Sequence, residues 1–145
     1  MDDEPPAHIH GSAVLCGDRA VLIVGPPGSG KSELAWALIR DGARLIGDDA
    51  LVIDLSPPSP TVSSAHTGSP RLWLAGLGAI DLPCAAGTHP IALVVECAPG
   101  YRPDRTGIDI DIATVANRRL PAFRIDPFLS AAVDRIALAV ERWGL

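Results

Sequence analysis

Gly25-Pro26-Pro27-Gly28-Ser29-Gly30-Lys31-Ser32 is the stretch whose reading decides the fold. It fits G-x-x-x-x-G-K-[ST], and its flanks are those the motif requires. Ala20-Val21-Leu22-Ile23-Val24 before it is short, apolar and β-branched, as a buried strand is. Glu33-Leu34-Ala35-Trp36-Ala37-Leu38-Ile39-Arg40 after it has helical character. A strand, a glycine loop and a helix N-terminus together make a phosphate cradle: backbone N–H groups turn inward and the helix dipole adds partial positive charge. In such a loop Lys31 would reach the β- and γ-phosphates and the Ser32 hydroxyl would ligate Mg²⁺, so the expected ligand is a nucleotide.

The rest of the chain frames that loop. At 145 residues, 48% of them hydrophobic, the chain is long enough for one packed domain and short for two. We expect residues 1–7 to form a tail and residues 8–145 a single domain. No apolar run is long enough for a membrane span, and Met1-Asp2-Asp3-Glu4-Pro5-Pro6 lacks the basic and apolar parts of a signal peptide, so the expected location is cytoplasmic, with no membrane partner. A net charge of −5 and 4% aromatic residues argue against a nucleic-acid partner. Arg118-Arg119 is the one basic doublet and reads as a solvated strand end. Cys16, Cys84 and Cys97 are odd in number and widely spaced, which favours buried thiols over disulfides or metal ligands.

Ser12–Cys16 and Ala20–Val24 read as a hairpin around Gly17-Asp18. The helix after the loop puts Leu34 and Leu38 on one face, with Trp36 as a packing residue and Gly42 at its C-terminal left-handed position. Arg44–Ile46 and Leu51–Ile53 read as extended, Ser56–Pro70 as a proline-rich surface loop, and Leu72–Leu74, Ala79–Leu82 and Ile91–Val95 as strands, with Gly76-Leu77-Gly78 as a tight turn. Pro99–Gly107 is a further loop. Ile108-Asp109-Ile110-Asp111-Ile112 alternates as a half-buried strand does. Asp126 reads as an N-cap and Pro127 as the first residue of a last helix, with Leu129, Val133, Ile136 and Val140 on one face and Gly144 at its end. One loop helix among many short strands is not the βα alternation of a doubly wound kinase.

Asp48-Asp49 stands at a strand end soon after the loop helix. It is either a solvated turn or a metal ligand beside a general base, the two carboxylates that phosphoryl transfer to a hydroxyl needs. In a strand the two side chains would point to opposite sides. His10-Gly11 lies 21 residues before Lys31. Taken alone, that histidine reads as a surface or hydrogen-bonded residue.

The order His10-Gly11, Gly25–Glu33, Gly42-Ala43-Arg44-Leu45-Ile46-Gly47-Asp48-Asp49 and Gly76-Leu77-Gly78 resembles the catalytic domain of HPr kinase/phosphorylase, above all the short forms without the N-terminal domain. Leu120-Pro121-Ala122 and Asp126-Pro127-Phe128 fit the end of those forms. The resemblance implies an α/β P-loop domain of phosphoenolpyruvate carboxykinase-like type, with a mixed β-sheet, a P-loop helix and a C-terminal helix. It implies ATP and Mg²⁺ as cofactors and the phosphocarrier protein HPr of the phosphotransferase system as partner, phosphorylated on a serine, in an enzyme often hexameric. Position by position, Gly25, Pro26, Pro27, Gly28, Ser29, Gly30, Lys31, Ser32 and Glu33 would bind nucleotide, and Ser32 and Asp48 the metal. Asp49 would be the catalytic base, beside His10 and Lys31. The family carries an acid and an arginine where this chain has Trp73 and Ala75. That departure predicts weak or absent phosphorylase activity. It leaves open a nucleotide-binding regulatory module, and more remotely a small-molecule kinase or NTPase.

Overall fold

The computed structural model describes residues 6–56, 58–66, 68–103, 110–115 and 118–145. Eleven elements follow in chain order: β1 (Ala7–Cys16), β2 (Arg19–Val24), α1 (Lys31–Arg40), β3 (Arg44–Asp54), β4 (Thr61–Ser64), β5 (Arg71–Leu74), β6 (Gly78–Asp81), β7 (His89–Cys97), β8 (Ile110–Val115), β9 (Arg118–Ile125) and α2 (Ala132–Trp143). Seven strands form one mixed sheet in the order β2-β1-β3-β4-β7-β9-β8, and β5 and β6 pair as a separate hairpin. β2–β7 and β7–β9 are parallel; the other pairs in the large sheet are antiparallel.

Because β7 pairs with β2 as well as with β4, the strands β7, β2, β1, β3 and β4 close into a ring. Strand alternation then gives the two faces different neighbours. Ala13, Leu15, Ala20, Leu22, Leu51, Ile53, Val62, Ile91 and Val94 turn into the curl and form one core. Val14, Val21, Ile23, Leu45, Leu93 and Val95 turn outward and pack under α1 and α2, where they meet Leu34, Leu38, Ile136, Ala139 and Val140. The apolar run Ala20–Ile23 is buried throughout because both of its faces are covered.

The expected hairpin, loop helix and strands near residues 72–74, 79–82 and 91–95 are present. Gly42 has a positive φ of 113°, and the Gly42 and Ala43 N–H groups close α1 on the Ile39 and Leu38 carbonyls. Trp36 packs on the helix-side core, as expected.

Four expectations change. β1 starts at Ala7, ahead of Ser12, because residues 7–11 pair with residues 49–53 of β3. The two short stretches at 44–46 and 51–53 are one eleven-residue strand. The expected loop 56–70 contains β4, whose Val62 fills the curl opposite Ile53. The last helix begins at Ala132: Asp126 caps a turn instead, its carboxylate accepting the Phe128 N–H at 3.0 Å. That turn drapes over the glycine loop, so tertiary packing overrides the local capping signal. Leu129 therefore precedes the helix and is exposed, while Ile136 and Val140 are buried.

Ile108 and Asp109 lie outside the described residues, as do residues 1–5 of the expected tail and residues 104–107 of the expected loop. Ile112 is exposed on β8, which ends the sheet. Arg118 and Arg119 are exposed at the start of β9. Arg19 ties the far end of α2 down, donating to the Val140 and Gly144 carbonyls at 2.9 and 3.4 Å.

Two predictions follow from this packing. Leu22→Ala should cost about 2–5 kcal/mol in urea denaturation, while Leu138→Ala, on the exposed face of α2, should stay within about 0.5 kcal/mol. Burial pushes the Cys97 thiol from 9.0 up to about 12, with Glu33 adding to the rise and Lys31 opposing it. Folding should hold its full Cys97 contribution below pH 9 and lose it as pH rises toward 12, a slope that Cys97→Ala should flatten.

Candidate functional site

The glycine loop leaves the end of β2 and enters α1 at Lys31. Gly25, Gly28 and Gly30 have φ of 157°, 78° and 97°, the last two in the region that side chains rarely adopt. A methyl group on Gly25 would meet Ser29 Oγ at 2.5 Å and Cys97 Cβ at 3.2 Å, and one on Gly30 would meet Pro127 Cγ and Phe128 Cζ at 2.8 Å. The loop is thus held between β7 on one side and the turn after β9 on the other. Ser29 is 4% exposed, and its hydroxyl lacks a hydrogen-bond partner among the described residues. An unpaired buried hydroxyl is costly.

Lys31 folds back over the loop, its ammonium donating to the Gly25 carbonyl at 2.8 Å and the Pro26 carbonyl at 3.3 Å. Pro26, Pro27 and Gly28 form the exposed crest. Glu33 is exposed in the first turn of α1.

Asp48 lies at the foot of the loop, 9% exposed. Its Oδ1 accepts the Ser12 hydroxyl at 2.5 Å, and the Ser32 hydroxyl stands 3.3 and 3.4 Å from its two oxygens. The Trp73 backbone N–H donates to Oδ2 at 3.1 Å. One carboxylate therefore joins β1, α1, β3 and β5. Ser12 could have been found in the sequence: it stands two residues after His10 in an extended stretch, hence on the same face. The Trp73 N–H could not, because a main-chain donor leaves no residue-type signal.

Asp49, next along β3, has a φ of 71°, the one positive φ of a non-glycine among the described residues. Such a conformation costs about 1–3 kcal/mol and persists where the surroundings enforce it. Its carboxylate stands 3.8 Å from His10 Nδ1, and both side chains are largely exposed. The pair divides by burial: Asp48 turns in to Ser12 and Ser32, and Asp49, with its positive φ, stands exposed beside His10. Gly11, opposite Asp49 in the register, must lack a side chain because a methyl group there would lie 2.7 Å from the Ile23 carbonyl oxygen.

The Trp73 ring is exposed and does not wall off the Ser32–Asp48 pair. Asp81 faces solvent and pairs with Arg71 at 3.1 Å, so it does not join that pair. On the other side of His10, a cleft of about 480 Å³ opens at the carboxyl ends of β2, β7 and β9, lined by His10, Val24, Glu96, Arg124 and residues of β8. Open sheets hold ligands at the carboxyl ends of parallel strands. Arg124 stands 3.9 Å from Glu96 and 5.6 Å from the centre of the Tyr101 ring. No helix among the described residues is long and apolar enough to cross a membrane.

Comparison with known proteins matches residues 4–126 to the HPr Serine kinase C-terminal domain family. The chain is 33% identical over 122 residues to an HPr kinase/phosphorylase of Clostridium novyi, covering 78% of this chain and 40% of the relative. It is 31% identical over 131 residues to one of Geobacter sulfurreducens, covering 83% and 41%. The chain thus spans about two fifths of the length of these curated relatives. The solved structure of the Hpr(Ser) kinase/phosphatase from Coxiella burnetii has the same fold, with a TM-score of 0.76 over 94% of this chain and 88% of that one, at 19% identity.

Removing the Asp48 carboxylate should leave the buried Ser12 hydroxyl and the Trp73 N–H unpaired. Asp48→Ala is expected to destabilise by about 1–3 kcal/mol. A double-mutant cycle with Ser12→Ala in urea should give a coupling energy above about 0.5 kcal/mol, and additivity would refute the shared bond.

Proposed function

The chain belongs to the HPr Serine kinase C-terminal domain family, and from that premise we propose that it transfers the γ-phosphate of ATP to a serine hydroxyl of an HPr-type phosphocarrier protein. The observation that carries this reading is the meeting of the Ser32 hydroxyl and the buried Asp48 carboxylate at the mouth of a glycine loop, with Asp49 and His10 beside them. A phosphate fits the loop: among the described residues the Ser29 hydroxyl has no hydrogen-bond partner and the Lys31 ammonium donates to loop carbonyls, and a helix N-terminus presents N–H groups without intrahelical partners.

Lys31 exchanges the Gly25 and Pro26 carbonyls for phosphate oxygens, and the loop amides orient the triphosphate. Ser32 and Asp48 would hold Mg²⁺, which neutralises phosphate charge when bound. Asp49 takes the proton of the acceptor serine as its oxygen forms the new bond to phosphorus and the bond to the ADP oxygen breaks. His10 positions Asp49, an arrangement for which the 3.8 Å approach leaves room to tighten when substrate arrives. The cleft beside His10 is wide enough to admit the serine-bearing segment of a carrier protein.

Dephosphorylation in the reverse direction is weak or absent in this reading, because Ala75 offers no guanidinium to grip the product phosphate. A second reading has one observation of its own. Where the family carries an acid, Trp73 gives Asp48 only a main-chain N–H, so a nucleotide-binding module without turnover shares the same loop.

Incubation with Mg-ATP and HPr should yield a phosphoserine detectable by mass. Asp49→Asn should lower the rate by about 10²–10⁴-fold while nucleotide affinity stays within about threefold. Lys31→Ala should weaken nucleotide binding itself. Equal, near-zero product from wild type and Asp49→Asn, with micromolar nucleotide binding retained, would establish the module and exclude the kinase.

A further inference from the structure

Phe128 is not absorbed by the reading above. Its side chain belongs to the turn Asp126-Pro127-Phe128, which the sequence alone assigns to a helix start. The turn is rigid: the Asp126 carboxylate accepts the Phe128 N–H at 3.0 Å and the Asp126 carbonyl accepts the Leu129 N–H at 3.3 Å. It lies directly on the glycine loop, since the space a side chain at Gly30 would fill is taken by Pro127 Cγ, Phe128 Cζ and Phe128 Cε1 at 2.8, 2.8 and 3.3 Å. Phe128 Cζ and Cε1 are among the atoms nearest that position. Phe128 as a whole remains 61% exposed, among the most exposed large apolar residues of the described chain.

An aromatic ring that lies against a loop yet leaves most of its surface to solvent gains little from burial there. It is the arrangement a flat aromatic ligand uses. Gly30 precedes Lys31, so the ring stands at the point where a triphosphate would enter the loop. We propose that Phe128 is the nucleobase platform of this site: the base of the bound nucleoside triphosphate stacks on its exposed ring, while Pro127 and the Asp126 turn hold the ring at the loop. The proposal rests on the phosphate reading of the loop and supplies what that loop lacks, since backbone N–H groups contact phosphates alone and read no base. Trp73, the other large exposed aromatic near the site, is anchored through its N–H to Asp48 and so stands at the metal and acceptor end.

The test compares two ligands by calorimetry in Mg²⁺ on the whole chain: inorganic tripolyphosphate and the non-hydrolysable ATP analogue with an imido bridge. Wild type should bind the analogue more tightly than tripolyphosphate. Phe128→Leu, which keeps apolar packing on Gly30 but loses the π face, should weaken the analogue by about 5- to 50-fold and leave tripolyphosphate within twofold. Phe128→Tyr should retain the wild-type ratio, and a urea midpoint for Phe128→Leu close to wild type would confirm an intact fold. If Phe128→Leu leaves both ligands unchanged, or weakens both equally, the platform is refuted and the phosphate loop stands. Should wild type bind neither ligand, the loop reading and the platform fall together.

Discussion

A single buried carboxylate connects the fold to the site. Asp48 accepts from Ser12 on β1, Ser32 at the start of α1 and the Trp73 main chain on β5, at distances between 2.5 and 3.4 Å. Burying a carboxylate is costly unless its oxygens are occupied, so these three donors must arrive together for the chain to fold as it does. Their meeting ties β1, the start of α1 and the β5–β6 hairpin to β3. The same oxygens are those a divalent cation beside Ser32 would share in the proposed reaction. Structural satisfaction and proposed chemistry therefore draw on one group.

Around that anchor, the closure of β7 onto both β2 and β4 separates the apolar residues into an inner and an outer core. The outer core seats the two helices. The parallel pairings of β7 with β2 and β9 bring three strand ends to one edge, and the glycine loop, the cleft by His10 and the turn carrying Phe128 all leave from that edge. Function collects there because successive strand ends place unrelated loops side by side. The strain at Asp49 belongs to the same edge, where neighbouring strands hold it in place.

Some of this was legible from residue order. The glycine loop, its strand and its helix follow from a motif with required flanks. The resemblance carried by His10, Asp48-Asp49 and Gly76–Gly78 led to the family that the comparisons show. Other parts were not legible. β4 is four residues inside a proline-rich stretch, too short to produce a period. The Asp126-Pro127 pair has the local chemistry of a helix start, yet contact with Gly30 holds it as a turn. Trp73 stands where the resemblance expects an acid, yet its backbone supplies a contact to Asp48 and its ring faces solvent.

By itself the sequence determined a glycine loop between a buried strand and a helix, an α/β class, and the residues to watch on either side. Those follow from local rules: glycine where backbone must turn freely, and apolar periodicity where a face is buried. Only the tertiary structure decided which acid is buried, that Ser12 holds it, that β7 closes the sheet, and that Phe128 lies against Gly30. Each of these depends on contacts between residues dozens of positions apart, and no local spacing encodes the distance between two segments that meet only when the sheet curls.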